Sequence, residues 1–553
     1  MTVRPARSRF RFVRAFVALA LALSTVALVP SVAGAAVSGG GGHGGGQGHG
    51  RSCEHQANNS YDKLLRCVTA DGVFDHLEAF QAIADANDGT RASGTPGYDA
   101  SADYVAGLLE DAGYDVTRQE FDFPFFEELS DAVLERIVAG QAVALQTGTF
   151  EFSGTGDVTG AVIPVDINLD GDRASDSGCE ADDFEPALFT GDNDIALTQR
   201  GTCDFAVKAL NAQEAGAEAV IIFNQGNDPG RMGVIVGTLG DQSAGAITIP
   251  VVGASYDDGV ALSQPGTQAH VATDTFFEVR TTENVIADSR WGNPDNIVMS
   301  GAHLDSVAEG PGINDNGSGS AALLEVALNM AKVRSPNQLR FAWWGAEESG
   351  LVGSWHYVES LSEDDLADIA LYMNYDMVGS PNYIHMVYDA DESTFPAAEF
   401  GVEVPAGSTA IEDVYESFYT WKQVPYDDTA FSGRSDYEAF IFADIPSSGL
   451  FTGAEEAKSQ EQADIWGGTV GDQFDPCYHE ACDTIANVSR EAIDVNSDVI
   501  AFATLTFAFS TESVNGVEGR RVPGRPFQLP APAGPEGTFA TEDGGAAPAH
   551  GTL

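Results

Sequence analysis

The chain has 553 residues, with 83 aspartates and glutamates against 27 lysines and arginines, and a formal net charge of −56. A chain of this length predicts more than one domain, because single hydrophobic cores rarely grow beyond ~300 residues. The excess of negative charge excludes proteins that bind nucleic acid or anionic membranes through a basic surface.

The first 35 residues have the pattern of an export signal. Five arginines precede the apolar run AFVALALALSTVALV, and the small residues Ala33-Gly34-Ala35 provide a cleavage site. We therefore predict a signal peptide over residues 1–35 and a secreted, extracellular protein; an uncleaved membrane anchor is the alternative. No other stretch is expected to be long and apolar enough to cross a bilayer, so no membrane association is expected after cleavage.

Both ends of the remaining chain are of low complexity. Residues 36–52 include GGGGHGGGQGHG, which has the composition of a flexible linker. Residues 513–553 are rich in Pro, Gly and Ala and have no apolar periodicity. For this segment we predict a disordered tail or a processed propeptide.

The six cysteines are typical of a protein from an oxidising compartment. Six cysteines allow fifteen pairings. Pairing nearest neighbours along the chain closes three short loops, and this is the pairing that we predict. It joins Cys53 to Cys67, Cys179 to Cys203 and Cys477 to Cys482.

Apolar strand-like segments alternate with amphipathic helices in much of the chain. Strands are predicted near residues 296–305, 338–348 and 368–379, with helices over 320–333 and 350–361. Apolar strands joined by such helices predict an α/β fold, a mixed and mainly parallel sheet sandwiched by helices.

Residues 140–277 have a different composition, richer in Gly, Asp and short β-type runs such as AVIIFN. We predict a separate β-rich domain inserted into the α/β domain, which then comprises residues 53–139 and 278–512. The strand-like segment 276–289 would return the chain to the main sheet.

Side chains that can bind metal follow the predicted strands. These are His303, with Asp315 in the next Gly-rich loop, Glu347 and Glu348, Asp376, and the later pair Tyr478 and His479. Sites in open α/β sheets lie at the carboxyl ends of strands, and zinc accepts imidazole and carboxylate ligands. Each of these residues alone is more often an ordinary loop residue, so the prediction depends on the ordered set.

Five ligands would serve two zinc ions if one carboxylate bridges them, at the ~3.5–4 Å spacing of two-metal hydrolases. A water between the ions would have its pKa lowered toward about 7. Glu347, adjacent to a ligand, would be the base that takes the proton of this water.

Five segments carry a family resemblance. HLDSVAEGPGINDNGSG, WWGAEESGLVGS, YMNYDMVG, FSGRSDYEAF and CYHEACD resemble, in this order, the M28 family of dizinc metallopeptidases, and within it the secreted actinobacterial aminopeptidases. The resemblance covers roughly residues 55–140 and 278–512. It implies a zinc-exopeptidase fold and two Zn²⁺ ions, one held by His303, Asp315 and Asp376, the other by Asp315, Glu348 and His479.

The resemblance also implies roles for neighbouring residues. Glu347 would be the general base and acid, Tyr478 would hydrogen-bond the oxyanion, Asp305 would orient His303, and Arg434 would help to hold the substrate. A non-proline cis peptide is implied between Asp315 and Asn316. Within the insertion, residues 194–225 and 249–255 resemble a protease-associated (PA) domain, whose role as a lid or as a passive stabilising insertion stays open.

By this resemblance the protein would be a monomeric, secreted aminopeptidase that acts on peptide or protein N-termini and prefers large apolar residues such as Leu. Acidic residues near the metals, Glu347 and Asp376, would hold the free α-amino group. A carboxypeptidase or dipeptidase on the same scaffold is the alternative, and its substrate carboxylate would need a basic pocket for which Arg434 is the obvious candidate. An inert, receptor-like binding protein is a further alternative, but such relatives usually lose a ligand or the base.

Overall fold

The computed structural model describes residues 53, 56–184, 189, 193–240 and 245–539. The predicted signal peptide (1–35) and linker (36–52) lie outside these residues. The elements below are numbered in chain order within the described part of the chain.

The α-helices are α1 (Tyr61–Leu64), α2 (Ala70–Ala86), α3 (Pro96–Ala112), α4 (Phe205–Ala215), α5 (Tyr256–Leu262), α6 (Gly317–Met330), α7 (Val352–Ser360), α8 (Glu363–Asp368), α9 (Ser408–Lys422), α10 (Tyr437–Phe442), α11 (Gln460–Trp466), α12 (Arg490–Phe509) and α13 (Glu512–Asn515). The strands are β1 (Asp115–Val138), β2 (Gln141–Ala144), β3 (Gly156–Pro164), β4 (Asp194–Gln199), β5 (Ala219–Phe223), β6 (Val251–Ala254), β7 (Gln268–Asp288), β8 (Asn293–His303), β9 (Asn337–Trp344), β10 (Ile369–Tyr375), β11 (Met386–Tyr388), β12 (Asp427–Thr429) and β13 (Ser447–Phe451). Short 3-10 turns lie at Ala181–Asp183, Pro229–Arg231, Ala397–Phe400 and Ile485–Asn487.

The strands form one mixed sheet in the order β12-β11-β13-β10-β8-β9-β7-β3-β4-β5-β6, with β1 paired to β2 and β7. The central run β13-β10-β8-β9 is parallel, whereas β7 is antiparallel to β9. Strand β10 is buried along its whole length, as expected for a central parallel strand covered on both faces. The predicted α/β sheet is confirmed.

Two helical layers cover the central strands. On one face, alternate residues such as Val298 and Met373 pack in a large core with α2, α3, α6, α9 and α12. On the other face, Met299 and Tyr372 pack in a second core with α7 and α10, where the rings of Tyr372 and Phe440 stack at 3.7 Å. Successive strand side chains point to opposite faces, so continuous apolar strands of this kind need both layers.

The inserted segment is joined to the main sheet by a long two-stranded ribbon. Strands β1 and β7 pair over most of their lengths, and β7 pairs with β9 at one end and β3 at the other. The predicted boundary at residues 277 and 278 therefore falls inside β7, a strand that both parts share. Strands β3 to β6 of the insertion run parallel, with α4 between β4 and β5 and α5 directly after β6, so the insertion is itself a small α/β unit rather than purely β.

The three predicted disulfides are confirmed. Cys53 pairs with Cys67, Cys179 with Cys203 and Cys477 with Cys482. The first ties the start of the described chain to the segment after α1, the second lies in the insertion, and the third closes a five-residue separation next to the predicted ligand His479.

Disorder, one of the two alternatives predicted for residues 513–553, is wrong for residues 513–539, whereas processing of this segment stays a prediction. This segment contains α13 and then an extended strap whose apolar side chains pack on the domain, Phe527 against Trp421 with ring centroids 4.7 Å apart. The backbone N–H of Glu536 donates to the Tyr426 carbonyl at 2.9 Å. Pro and Gly prevent a regular apolar periodicity in this segment, but its single apolar residues still pack on the surface of the domain. Residues 540–553 lie outside the described chain.

The expectation that no stretch beyond the signal is apolar enough to cross a membrane is also wrong. Helix α12 passes that test on length and hydropathy, with 78% of the apolar window buried inside the molecule. It packs in the core against α6 and α9, as the central helix of a globular domain does.

Candidate active site

The predicted ligands meet at one edge of the sheet because β10, β8 and β9 are parallel neighbours. His303 is the last residue of β8, Asp376 directly follows β10, and Glu347 and Glu348 lie just beyond β9. The carboxyl ends of these strands therefore deliver an imidazole and three carboxylates to one place. His303 ends its strand as predicted, whereas Glu347 and Glu348 lie three and four residues beyond the end of β9; their role as metal ligands stays a prediction.

The loop after β8 is fixed by buried polar contacts that place Asp315. Arg91 is fully buried and donates to the backbone carbonyls of Leu304, Pro311 and Gly312. The buried carboxylate of Asp483 accepts the backbone N–H of Asp315 at 2.9 Å. The peptide between Asp315 and Asn316 is cis, as the family resemblance implies.

Two clusters of ligand atoms share Asp315. In the first, His303 Nε2 lies 3.3 Å from Asp315 Oδ1 and 3.3 Å from Asp376 Oδ1. In the second, His479 Nε2 lies 3.2 Å from Asp315 Oδ2 and 3.1 Å from Glu348 Oε2. Each oxygen of Asp315 thus faces a different histidine, which is the arrangement needed for a carboxylate that bridges two cations.

The residues fit the chemistry of zinc. In each cluster the candidate ligand atoms lie within 4.8 Å of one another and are imidazole nitrogens or carboxylate oxygens. The second oxygen of Glu348, Oε1, is buried without a hydrogen-bond partner among the described residues. Buried carboxylate oxygens normally have partners, so an unpaired one beside two histidines favours a bound cation.

The charges of the side chains at the site also favour a bound cation. Burial raises the pKa of Glu347 well above its ordinary value, with His303 opposing the shift and Glu348 adding to it. Burial alone would lower the pKa of His303, but Glu347 and Asp376 outweigh it and raise that pKa well above the ordinary value. The fold thus concentrates negative charge that calls for compensating positive charge.

Glu347 forms a further group of possible ligands with His303 and Glu348, but it lies farther from His303 than the other carboxylates do. Its Oε2 is 3.9 Å from His303 Nε2, farther than the carboxylates of Asp315 and Asp376. Its backbone N–H donates to Asp305 at 3.3 Å, and the same Asp305 lies 3.5 Å from His303 Nδ1. Asp305 therefore contacts both the candidate base and the far nitrogen of the ligand ring, which is consistent with an orienting role.

Tyr478 and Arg434 meet beside the second cluster. Arg434 donates to the Tyr478 hydroxyl at 3.1 Å and to Glu455 at 2.7 Å. Burial raises the pKa of Tyr478 well above its ordinary value, with Arg434 opposing the shift, so the phenol keeps its proton. The disulfide Cys477–Cys482 encloses Tyr478 and His479, and His479 is an exposed candidate ligand, 42% accessible at its side chain.

Three residues at the site have left-handed backbone conformations. Ala346, before the glutamate pair, has φ of 52°, Met377, after Asp376, has φ of 45°, and His479 itself has φ of 58°. For residues with a Cβ this conformation costs about 1–3 kcal/mol and is usually retained where function needs it.

Sequence reasoning missed three supporting residues. Ser435 donates to Asp376 Oδ2 at 2.6 Å, Asp436 is fully buried near His303 and Asp376, and Asp483 holds the backbone of Asp315. Ser435 and Asp436 directly follow Arg434 in the segment FSGRSDYEAF, and Asp483 follows Cys482. Their nearness in sequence to predicted site residues was a usable signal, but only the fold shows which way they act.

A cavity of about 470 Å³ opens over the two clusters. One wall is apolar, with Met386, Phe395, Phe400, Phe451, Phe474 and Phe539 among its lining residues. Glu151 and Phe152 of the inserted segment and Phe539 of the C-terminal strap also line it. Three separate parts of the chain therefore build one pocket.

Family models match both parts of the chain. Residues 284–504 match peptidase family M28, and residues 158–262 match the PA domain. An aminopeptidase of Pseudomonas aeruginosa is 46% identical over 473 residues, covering 84% of this chain and 86% of that protein. The chain belongs to peptidase family M28. The predicted resemblance to M28 peptidases and to PA domains is confirmed.

Two further relatives of this M28 peptidase have informative names. A Mycobacterium tuberculosis protein named "Probable lipoprotein aminopeptidase" is 43% identical over 81% of this chain and 87% of its own length. An Aspergillus fumigatus protein named "Probable leucine aminopeptidase 2" is 41% identical over 77% of this chain and 80% of its own length.

Solved structures share the fold. An aminopeptidase from Aneurinibacillus sp. strain AM-1 superposes with a TM-score of 0.61 at 27% identity, covering 85% of this chain and all of that one. A zinc aminopeptidase from Bacillus subtilis superposes with a TM-score of 0.53 at 26% identity, covering 81% of this chain and 98% of that one.

Proposed function

We propose that this M28 peptidase is a secreted aminopeptidase that uses two Zn²⁺ ions to release N-terminal residues from peptides, with a preference for large apolar ones. The zinc ligands in this proposal are His303, Asp315, Asp376, Glu348 and His479. The observation that carries it is the pair of ligand clusters that share Asp315 at the floor of a partly apolar pocket. When bound, zinc supplies Lewis-acid polarisation of the scissile carbonyl and a water of lowered pKa.

The charges around the pocket favour a free amino group over a carboxylate as the substrate terminus. Glu151, Glu347, Asp376 and Glu456 are among its acidic lining residues. Arg434 is the only lysine or arginine among the described lining residues, and it already pairs with Glu455 at 2.7 Å. A carboxypeptidase or dipeptidase would need that guanidinium for the substrate carboxylate, so its pairing disfavours this alternative.

The apolar wall supports the proposed preference for large apolar N-terminal residues. The aromatic rings of Phe395 and Phe539 lie 6.0 Å apart at the pocket, and Met386 and Phe474 pack behind Phe539 in one cluster. A leucine side chain would bury apolar surface there at roughly 25 cal/mol per Å². The name of the Aspergillus fumigatus relative agrees with this preference.

Side chains of the protein would carry out proton transfer, oxyanion stabilisation and substrate binding. Glu347 accepts the proton of the attacking water and returns it to the leaving amine, as a buried base close to the substrate can. The Tyr478 hydroxyl donates to the oxygen that becomes negative in the transition state, a contribution of about 3–4 kcal/mol in comparable sites. Glu347 and Asp376 hold the α-ammonium group, and Asp305 and Ser435 fix the orientation of His303 and Asp376.

We also propose that the protein is secreted. Three disulfides agree with an oxidising compartment. The lipoprotein name of the Mycobacterium tuberculosis relative raises the alternative of a membrane-anchored form. Mass spectrometry of the mature N-terminus from culture supernatant and from membranes separates the two, since a lipid anchor adds a defined mass.

The first test is hydrolysis of leucine p-nitroanilide beside its N-acetylated form, each with and without a chelator. We expect cleavage of the free-amine substrate only, loss on chelation, and recovery with Zn²⁺ at two ions per chain by mass spectrometry. Equal cleavage of the acetylated substrate would contradict an aminopeptidase. No cleavage of either, in protein that holds two metal ions, would favour the carboxypeptidase alternative.

A further inference from the structure

A second cluster of acidic side chains, which shares no residue with the proposed zinc ligands, adjoins the pocket. Glu412 and Glu416 are one turn apart on α9, Asp428 is on β12, and Asp389 and Asp391 are in the loop after β11. Candidate ligand oxygens lie within 4.8 Å of one another in two groups that share Glu412. One group is Glu412, Glu416 and Asp428; the other is Asp389, Asp391 and Glu412.

Two carboxylate oxygens in this cluster are buried and unpaired. Glu412 is 2% exposed and Asp428 is fully buried. Glu412 Oε2 and Asp428 Oδ1 have no hydrogen-bond partner among the described residues. Buried carboxylate oxygens normally have hydrogen-bond partners, so two unpaired ones in the same cluster indicate that a ligand completes the site.

Burial and neighbouring negative charges raise the pKa values of the carboxyl groups in this cluster. The pKa of Glu412 is raised to about 10, first by burial and then by Glu416 and the nearby aspartates. The pKa of Glu416 is raised to about 8 and that of Asp428 to about 7, again with burial as the largest cause. Like charges one helical turn apart repel each other. Glu412 and Glu416 are therefore unfavourable on the same buried face unless positive charge compensates them.

The loop after β11 has the form of a cation-binding turn. Asp389 and Asp391 are followed by Ser393, the D-x-D-x-S spacing with which calcium loops begin. Asp389 accepts backbone N–H groups from Ser393 and Thr394 at 2.9 Å, and Thr394 donates its hydroxyl to Asp428 Oδ2 at 2.5 Å. The loop is thereby wrapped around the carboxylates of the neighbouring strand.

We infer that Glu412, Glu416 and Asp428, with Asp389 and Asp391 alongside, form a second kind of metal site that binds Ca²⁺. The ligands are all oxygen, without imidazole or thiolate, which selects a hard cation rather than zinc. Ca²⁺ accepts six to eight such oxygens in irregular geometry, whereas Mg²⁺ requires a near-ideal octahedron and retains water. The ion would tie the 389–395 loop to α9 and β12.

The site adjoins the pocket through two residues. Asp428 and Phe395 both line the cavity over the zinc clusters. The backbone N–H of Phe395 donates to Asp389, a member of the acidic cluster. A cation here would therefore hold one wall of the substrate pocket in place, without taking part in the chemistry.

The test uses full-length protein that is stripped of metal and reloaded with Zn²⁺ only, followed by thermal unfolding and calorimetric titration with CaCl₂. We expect saturable Ca²⁺ binding and a rise in Tm of several degrees, because a ligand that binds only the folded state stabilises it. Mg²⁺ at the same concentration should give a much smaller rise. No rise with Ca²⁺, or an equal rise with Mg²⁺, would overturn the assignment.

The decisive variant is Glu412→Gln. Glutamine resembles the protonated form that Glu412 adopts without a cation, so the Ca²⁺-free Tm should stay within a few degrees of the parent while the Ca²⁺-dependent rise is lost. Asp413→Asn is the matched control, since Asp413 is the exposed neighbour on the same helix and its loss should keep the Ca²⁺ response. A full Ca²⁺-dependent rise in Tm in Glu412→Gln would overturn the proposed site. Neither readout depends on peptidase activity, so failure here is distinct from failure of the proposed function.

Discussion

Glu347, the proposed general base, lies beside the two clusters of candidate ligands and farther from His303 than Asp315 or Asp376 does. The variant Glu347→Gln keeps size and hydrogen bonding but cannot accept a proton. We expect kcat to fall by about 10²–10⁴-fold with two Zn²⁺ ions still bound, as measured by steady-state kinetics and by metal analysis. Glu309→Gln, at an exposed position of the loop after β8, is the control and should keep full activity. Wild-type turnover in Glu347→Gln would remove this residue from the mechanism.

Tyr478 contacts Arg434 and lies beside the second ligand cluster. Removal of its hydroxyl in Tyr478→Phe should lower kcat by about 10²–10³-fold while KM changes little, because the donated hydrogen bond strengthens only as the oxyanion forms. Tyr383→Phe, outside the pocket lining, is the matched control. A rise in KM with kcat unchanged would instead assign Tyr478 to substrate binding.

At the scale of elements, one histidine connects three strands of the insertion and its ribbon. His270 on β7 lies 3.0 Å from Glu135 on β1 and 3.0 Å from Asp157 on β3. The hydrogen bond to Glu135 raises the pKa of His270, opposed by partial burial and aided by Asp157. A folded-state pKa above the unfolded value near 6.5 stabilises the protein below that pH, and the contribution is lost as pH rises through the folded pKa.

The difference in Tm between wild type and His270→Gln should therefore be larger at pH 5.5 than at pH 8.5. His356, which stacks on Phe121, gives the opposite control because burial lowers its pKa. For His356→Gln the wild-type advantage should shrink as pH falls. A Tm difference for His270→Gln that is the same at both pH values would contradict the proposed clamp between β1, β7 and β3.

At the scale of the whole molecule, the pocket depends on a segment far from the ligands in sequence. Phe539 reaches the pocket because Gly537 and Thr538 are anchored on Asp427, with a hydroxyl bond of 2.6 Å from Thr538. Phe539→Ala should lower the preference for leucine over alanine p-nitroanilide, measured as the ratio of kcat/KM, by about tenfold.

The control for that prediction lies on the same strap. Phe527 packs on Trp421 and Tyr61, and it is not among the residues that line the pocket. Phe527→Ala should lower Tm and leave the leucine-to-alanine ratio unchanged. Equal effects of the two variants on that ratio would mean that the strap stabilises the domain without shaping the pocket.

Much of the central fold could be predicted from sequence because its signals are local. Strands β8, β9 and β10 are apolar runs of the right length, and α6 and α7 follow the first two as the next elements along the chain. Candidate metal ligands lie at or just after the ends of these runs, so they are expected at one edge of the sheet once the strands are parallel. The disulfides could be predicted for a similar reason, because the paired cysteines are neighbours along the chain.

Other features depend on contacts between distant segments, which no local pattern encodes. The sequence by itself determined the α/β class, the strand-end ligands, the family resemblance and the inserted segment. Only the tertiary structure decided that Asp483 and Arg91 hold the loop that carries Asp315, that Arg434 is already paired, that the strap completes the pocket, and that five acids meet beside it. The reason is physical: burial, charge pairing and cavity shape are properties of atoms brought together across hundreds of residues, whereas periodicity and motif spacing report only on neighbours along the chain.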